Sequence, residues 1–240
     1  MMGLMLCSGV MFAANSSSSS FLPCDAPREI VLIPWGLPSS TTASPIALSR
    51  FLKSNPKKIF SDRFEVLYTG AGMGKEGWDL YKAGGKKVVG QLLRKSNQAY
   101  DNGLDSSFTV TLPSQATLEC RWFAGQIASL VMNNRSIYLI AQNPNGDVRE
   151  AKSWNDIKLS YRSFDYKAAP STRASTSISG GRHVRLKDGS DQFSFAKNNY
   201  EYRVTISKSG SSSVAVLLAG KLLSKSNALA QSFSLPPKLQ

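Results

Sequence analysis

A chain of 240 residues with 42% apolar and 10% aromatic side chains can build a packed core, which excludes wholesale disorder and collagen-like repetition. Twenty-nine Lys and Arg against sixteen Asp and Glu leave a formal charge of +13, a balance that favours polyanionic partners and says nothing about fold. One histidine and three cysteines leave zinc ligation and most triad chemistry short of side chains, so no metal and no cofactor is expected.

Residues 1–14 read as a signal peptide. Gly3 to Ala14 is a run without charge, too short for a bilayer core that needs roughly 20 apolar residues. It ends in the small pair Ala13 and Ala14, and Asn15 to Ser20 then turns polar. No Lys or Arg precedes the run, so a buried N-terminal segment is the alternative. Leu6 stands before Cys7 where a lipobox needs a small residue, which favours cleavage over a lipid anchor. Residues 15–28 read as a flexible leader. Cleavage would leave Cys24 and Cys120, an even pair that an oxidising compartment would join across a loop of roughly 95 residues. The alternative is a mobile Cys24 and an inert core thiol at Cys120.

Residues 29–104 read as mixed helix and strand. Ile30-Val31-Leu32-Ile33 is a short β-branched run bounded by Pro34 and Gly36, the pattern of a strand buried on both faces. Ile46, Leu48, Phe51 and Leu52 predict an amphipathic helix over about 44–55, and Phe64 to Tyr68 a second strand. After the glycines 70, 72, 74 and 77, one helical face collects Trp78, Tyr81, Val88 and Leu92, with a break at Gly84-Gly85. Residues 105–240 read as antiparallel β. Phe108, Val110 and Leu112 alternate, as do Leu118, Cys120 and Trp122; Ile137 to Ile140 is a further apolar run before the turn Asn143-Pro144-Asn145-Gly146. Residues 168–181, rich in Ser, Thr, Ala and Gly, predict a flexible loop. Phe193 and Phe195, the turn Lys197-Asn198-Asn199, and Tyr200, Tyr202, Val204 and Ile206 form a hairpin pattern, followed by Val214, Val216, Leu218 and then Leu222 with Leu223 beyond Gly220. No internal repeat is secure. The expected fold class is α+β: a mixed N-terminal portion and an antiparallel β C-terminal portion, as a sandwich or partial barrel.

The segment Tyr68 to Lys75 sits where a phosphate cradle would belong, between an expected strand and an expected helix. A P-loop needs four residues between its first glycine and the Gly-Lys pair; here Gly70 and Gly74-Lys75 leave three, and Glu76 stands where a magnesium-binding hydroxyl belongs. Gly72, Gly74 and Gly77 match a dinucleotide spacing with no acidic strand end after them. Gly72, Gly74 and Lys75 therefore remain an anion-loop candidate, and a cytosolic nucleotide-binding domain is the weakest functional reading. His183, in the alternating basic run Arg182 to Lys187, reads as a surface residue. Dispersed Asp and Glu leave an exported hydrolase as the main alternative, with no catalytic residue identified.

The positive charge is spread: residues 1–104 carry +5, 105–150 carry −1, 151–188 carry +5 and 189–240 carry +4. No aromatic RNA platform or helix-turn-helix accompanies it, so nucleic acid is not the expected partner. The stretch Phe193 to Val204 with Leu217 to Leu223 resembles strand pairs in small bacterial periplasmic β-domains such as lysozyme-inhibitor barrels. That resemblance spans about 30 residues without the family's cysteine framework, and no functional residue follows from it. The leading expectation is an exported, periplasmic or secreted, non-catalytic binding or accessory protein of the cell envelope. It would recognise an anionic polymer, a membrane surface or a protein through Arg182, Arg185, Lys187, Tyr200 and Tyr202.

Overall fold

The structure, a computed structural model, describes residues 21–25, 28–34, 37–72, 75–96, 104–112, 118–123, 125–144, 151–165, 174–235 and 239. Among them the regular elements are antiparallel strands and a short 3-10 turn at Trp154–Asp156. Strands β1 (Phe21–Asp25), β2 (Glu29–Pro34), β3 (Ser44–Leu52), β4 (Asn55–Gly72), β5 (Lys75–Lys82), β6 (Val88–Ser96), β7 (Leu104–Thr111) and β8 (Leu118–Phe123) follow one another as neighbours and close into a barrel. A second sheet has the order β16-β15-β14-β13-β12-β11-β10-β9-β17. Its members are β9 (Gln126–Val131), β10 (Arg135–Gln142), β11 (Lys158–Asp165), β12 (Thr176–Arg185), β13 (Asp191–Lys197), β14 (Tyr200–Ile206), β15 (Ser212–Leu218), β16 (Lys221–Asn227) and β17 (Ala230–Phe233).

The α+β expectation is wrong: no helical N-terminal portion exists among the described residues, and the first half is a β-barrel. The 44–55 segment is β3 and the turn into β4. Its inward alternation of Ile46 and Leu48 continues onto Arg50, a charge that hides the period of two, while Phe51 is buried on the opposite face. Burial on both faces imitates helical spacing. The apolar residues from Trp78 to Leu93 belong to two strands, β5 and β6, and Gly84-Gly85 lies in the turn between them. The flexible leader is corrected at Phe21–Asp25, which is β1; residues 1–20, and with them the expected signal peptide, lie outside the described residues. The loop expected at 168–181 likewise gives way at Thr176 to β12. The passage between the two sheets falls at Gly125, past the expected boundary near 104.

Closure of the first barrel rests on a short seam. β1 pairs with β2 through five residues but with β8 through two, Cys24 opposite Cys120 and Asp25 opposite Glu119. The Cys24–Cys120 disulfide joins the two strands there, their Cα atoms 4.0 Å apart. Leu22, Val31, Ile33, Leu48, Phe64, Val66, Trp78, Leu80, Leu92, Val110 and Leu118 surround it and fill the interior. On β4 the inward Phe64 and Val66 alternate with the outward Arg63 and Glu65, so this strand is apolar toward the interior and charged toward the outside, the reverse of a strand in a membrane-spanning barrel.

The second sheet curls around its own core of Leu130, Leu139, Leu159, Tyr161, Ile178, Phe193, Phe195, Val204 and Ile206. β16 and β17 run in the same direction with only Ala228 and Leu229 between them. The Ala228 amide donates to the Ser212 carbonyl (2.9 Å) and the Leu229 amide to the Val131 carbonyl (2.7 Å), so the chain hands over from β15 to β9 within two residues. The handover brings the ends of the sheet together and leaves one edge of β16 unpaired. The two barrels meet where Ile30, Leu32 and Phe51, on the outer face of the first, pack with Val131, Leu229 and Ala230 of the second.

Burial pushes the Tyr161 hydroxyl up to about 12 from its ordinary 10, outweighing the opposing pull of Arg135 and the Ser163 hydrogen bond. A raised folded-state value means stability is complete below pH 10 and is lost as pH rises through about 12. We expect Tyr161→Phe to flatten this alkaline loss, of order 2–3 kcal/mol in the parent, in urea unfolding at a series of pH values; an unchanged slope would assign it to other groups.

Candidate functional site

The Gly70–Lys75 segment does not lead into a helix. It is the tip of the β4–β5 hairpin, with Gly72 opposite Lys75 and β5, a strand, where a helix N-terminus would have to point at the anion. Gly74 lies outside the described residues. Glu76 accepts a hydrogen bond from Arg94 (3.1 Å), and Lys75 stands opposite Lys95.

His183 is not a surface residue. It faces the interior of the second barrel, its side chain 6% exposed, stacked on Trp154 at 4.0 Å and beside Phe193 at 5.0 Å. Its Nε2 lies 2.8 Å from Asp191 Oδ1, and Arg185 Nη1 donates to both oxygens of the same carboxylate (2.9 and 3.1 Å). No hydroxyl, thiol or amine among the described residues hydrogen-bonds the other ring nitrogen, which a nucleophile would have to do for triad chemistry.

The carboxylates are likewise committed. Glu29, 2% exposed, and Asp62 both accept from Arg50, at 3.2 and 2.7 Å, at one mouth of the first barrel. That clamp raises the Arg50 pKa, chiefly through the Asp62 hydrogen bond. Asp79 accepts from Gln91 (3.0 Å), Asp188 from the Ser190 amide (2.9 Å), and Glu201 from Arg203 in a two-point pair at 2.8 Å each. The Arg203 hydrogen bond holds the Glu201 carboxyl below its usual range. No group of three His, Cys, Asp or Glu suited to a metal ion occurs among the described residues.

Of the five expected binding residues, the structure separates rather than gathers. Tyr202 packs on the second core, 5.3 Å from Tyr161. Arg185 is drawn to Asp191, and Lys187 lies in the β12–β13 turn, at the end of β13 away from Tyr200. Arg182 and Tyr200 remain exposed, on different rows of the sheet.

The register assembles a patch that the sequence reading missed. Arg182 is opposite Ser194, Ser194 opposite Arg203, Arg203 opposite Ala215 and Ala215 opposite Lys225, so all five side chains point from one face across β12 to β16. The small residues Ser194 and Ala215 keep the cations uncovered. Glu201, Leu217 and Leu222 form the next row of that face. At the rim, Lys197, Tyr200, Leu218 and Lys221 stand opposite one another in turn. No carboxylate lies within ion-pair distance of Arg182, Lys197, Lys221 or Lys225 among the described residues. Alternation from Tyr202 and Val204 could have placed Arg203 on the outer face; only pairing could have aligned it with Arg182 and Lys225.

The buried cross-strand disulfide is compatible with an exported protein. No family model, no curated protein and no solved structure matches the chain, so the candidate surface stands on its own geometry.

Proposed function

We propose that the protein is an exported binding or accessory protein of the cell envelope that recognises an anionic partner through the outer face of β12–β16. The observation that carries this reading is the cross-sheet row of Arg182, Arg203 and Lys225, of which only Arg203 has an acidic partner. Cations on every second strand of a sheet, about 10 Å apart, present several contacts to a multivalent anion without first being ordered. The disulfide supports export, and the commitment of His183, Asp191, Glu29 and Asp62 to internal pairs supports binding over hydrolysis.

The double variant Arg182→Glu/Lys225→Glu tests the assignment against Lys86→Glu/Lys87→Glu, which makes the same change in net charge in an exposed turn of the first barrel. For an anionic polymer titrated at low salt, the first pair is expected to weaken binding about tenfold or more and the second no more than about threefold. Equal losses would show that the charge acts diffusely, and the patch would have no claim to the partner.

A further inference from the structure

We infer that the partner presents an extended acidic polypeptide segment, which adds to the second sheet as a strand along the free edge of β16. The inference rests on the binding reading above and narrows its partner to a protein.

Three observations on β16 converge. Among the described residues the strand pairs only with β15, with a bulge at Leu223 that sets Ser224 opposite Val216 and Leu222 opposite Leu217; outside that bulge the backbone groups of alternate residues on its other side have no sheet partner. Every residue from Lys221 to Asn227 is exposed, including Leu222 at 61% and Leu223 at 56%, the largest exposures among the big apolar side chains described. Lys221 and Lys225 bracket those leucines without carboxylate partners, and the row through Lys225 continues into Arg203 and Arg182.

An edge left open in this way invites any strand, and the lysines decide which strand is accepted. A strand laid against β16 places its residues opposite those of β16 and on the same faces. The matching sequence therefore has acidic residues across from Lys221 and Lys225, with two apolar residues between them across from Leu222 and Leu223. Read antiparallel, the pattern is acidic, any, apolar, apolar, acidic. A second copy of this chain fits worse: the self-pairing that sets Leu223 against its own equivalent puts Lys221 opposite Lys225 twice, between molecules that each carry +13. A polymer or a lipid surface would use the lysines but leave the edge amides and the leucines unused.

The test uses the intact, disulfide-bonded protein and a synthetic peptide of the sequence Thr-Glu-Thr-Val-Val-Glu-Thr with blocked ends. Amide hydrogen exchange across 221–227 should slow on binding, in an alternating pattern. N-methylation of alternate peptide amides, in either of the two phases, should weaken one phase about tenfold or more, because only one phase faces the edge. The Lys221→Glu/Lys225→Glu variant should lose the acidic peptide and gain its Lys-substituted counterpart. Binding that ignores N-methylation, or an anionic polymer or vesicle that protects 221–227 as well as the peptide does, would overturn strand addition. A concentration-dependent dimer that buries β16 would also overturn it, in favour of self-association. If the peptide fails while the polymer still depends on Arg182 and Lys225, the edge inference falls and the binding surface stands. If neither ligand binds, both fall.

Discussion

Reducing the Cys24–Cys120 disulfide is expected to cost the protein about 4–5 kcal/mol of stability, the chain-entropy value for a closed loop of this length. The cysteines are 96 residues apart in sequence. For a chain of this size the loss is a fall in Tm of roughly 10–15 °C. The structure adds a local consequence. β1 and β8 share only two paired positions, so the bond does for this seam what a run of ladder hydrogen bonds does for the others. The reduced protein should therefore open first at β1 and β8, visible as fast amide exchange in Phe21–Asp25 and Leu118–Phe123 while β13 and β14 stay protected. Cys24→Ala/Cys120→Ala should behave like the reduced parent, with an additional small cost for the cavity left by two fully buried sulfurs. A uniform loss of protection over both sheets would mean that the seam does not open separately.

Gly125→Ala is expected to destabilise by about 3–4 kcal/mol, far beyond an ordinary glycine replacement. Gly125 has φ +71, and a Cβ there would lie 1.9 Å from the Ala141 carbonyl oxygen. Ala141 cannot move away: its own amide donates to the Gly125 carbonyl at 2.8 Å and its side chain is buried in the core of the second sheet. Gly84 supplies the control, since it has the same φ of +71 with nothing within 4 Å of the added carbon. Gly84→Ala should cost only the backbone strain, about 1 kcal/mol. Denaturant unfolding of the two variants separates strain from collision. Equal midpoints would show that the chain relaxes at Gly125 and that the passage from barrel to barrel is not held there.

In the second half β13 and β14 were readable because they have one wet face. Phe193 and Phe195, or Val204 and Ile206, point inward with polar residues between them, and the period of two survives into the sequence. In the first half β2 was readable too, as a strand buried on both sides, Val31 and Ile33 in the barrel and Ile30 and Leu32 against the second sheet, but β3, β5 and β6 were not. β3 turns a charge, Arg50, toward the barrel mouth, and the β5–β6 turn shifts the phase of the apolar residues that follow it. The pairing of Cys24 with Cys120 was legible from arithmetic and compartment, the barrel it closes was not. The candidate patch was partly legible. Arg182 could be chosen from local pattern, but Arg203 and Lys225 join it only through strand pairing, which no local rule conveys. His183 and Arg185 looked available because nothing near them in sequence announces Trp154 or the inward turn of Asp191.

The handover at Ala228 and Leu229 also sets an order of events during synthesis. All strand pairs but two join neighbours in the chain, so hairpins can form as the ribosome releases them. The exceptions are the two closures. The first needs nothing beyond Phe123, whereas the second waits for Ala230–Phe233, about a hundred residues further along the chain. Between the two, the emerging chain carries one finished ring and one growing ribbon, and β9, whose outer edge awaits β17, is the place where a chaperone has most to shield.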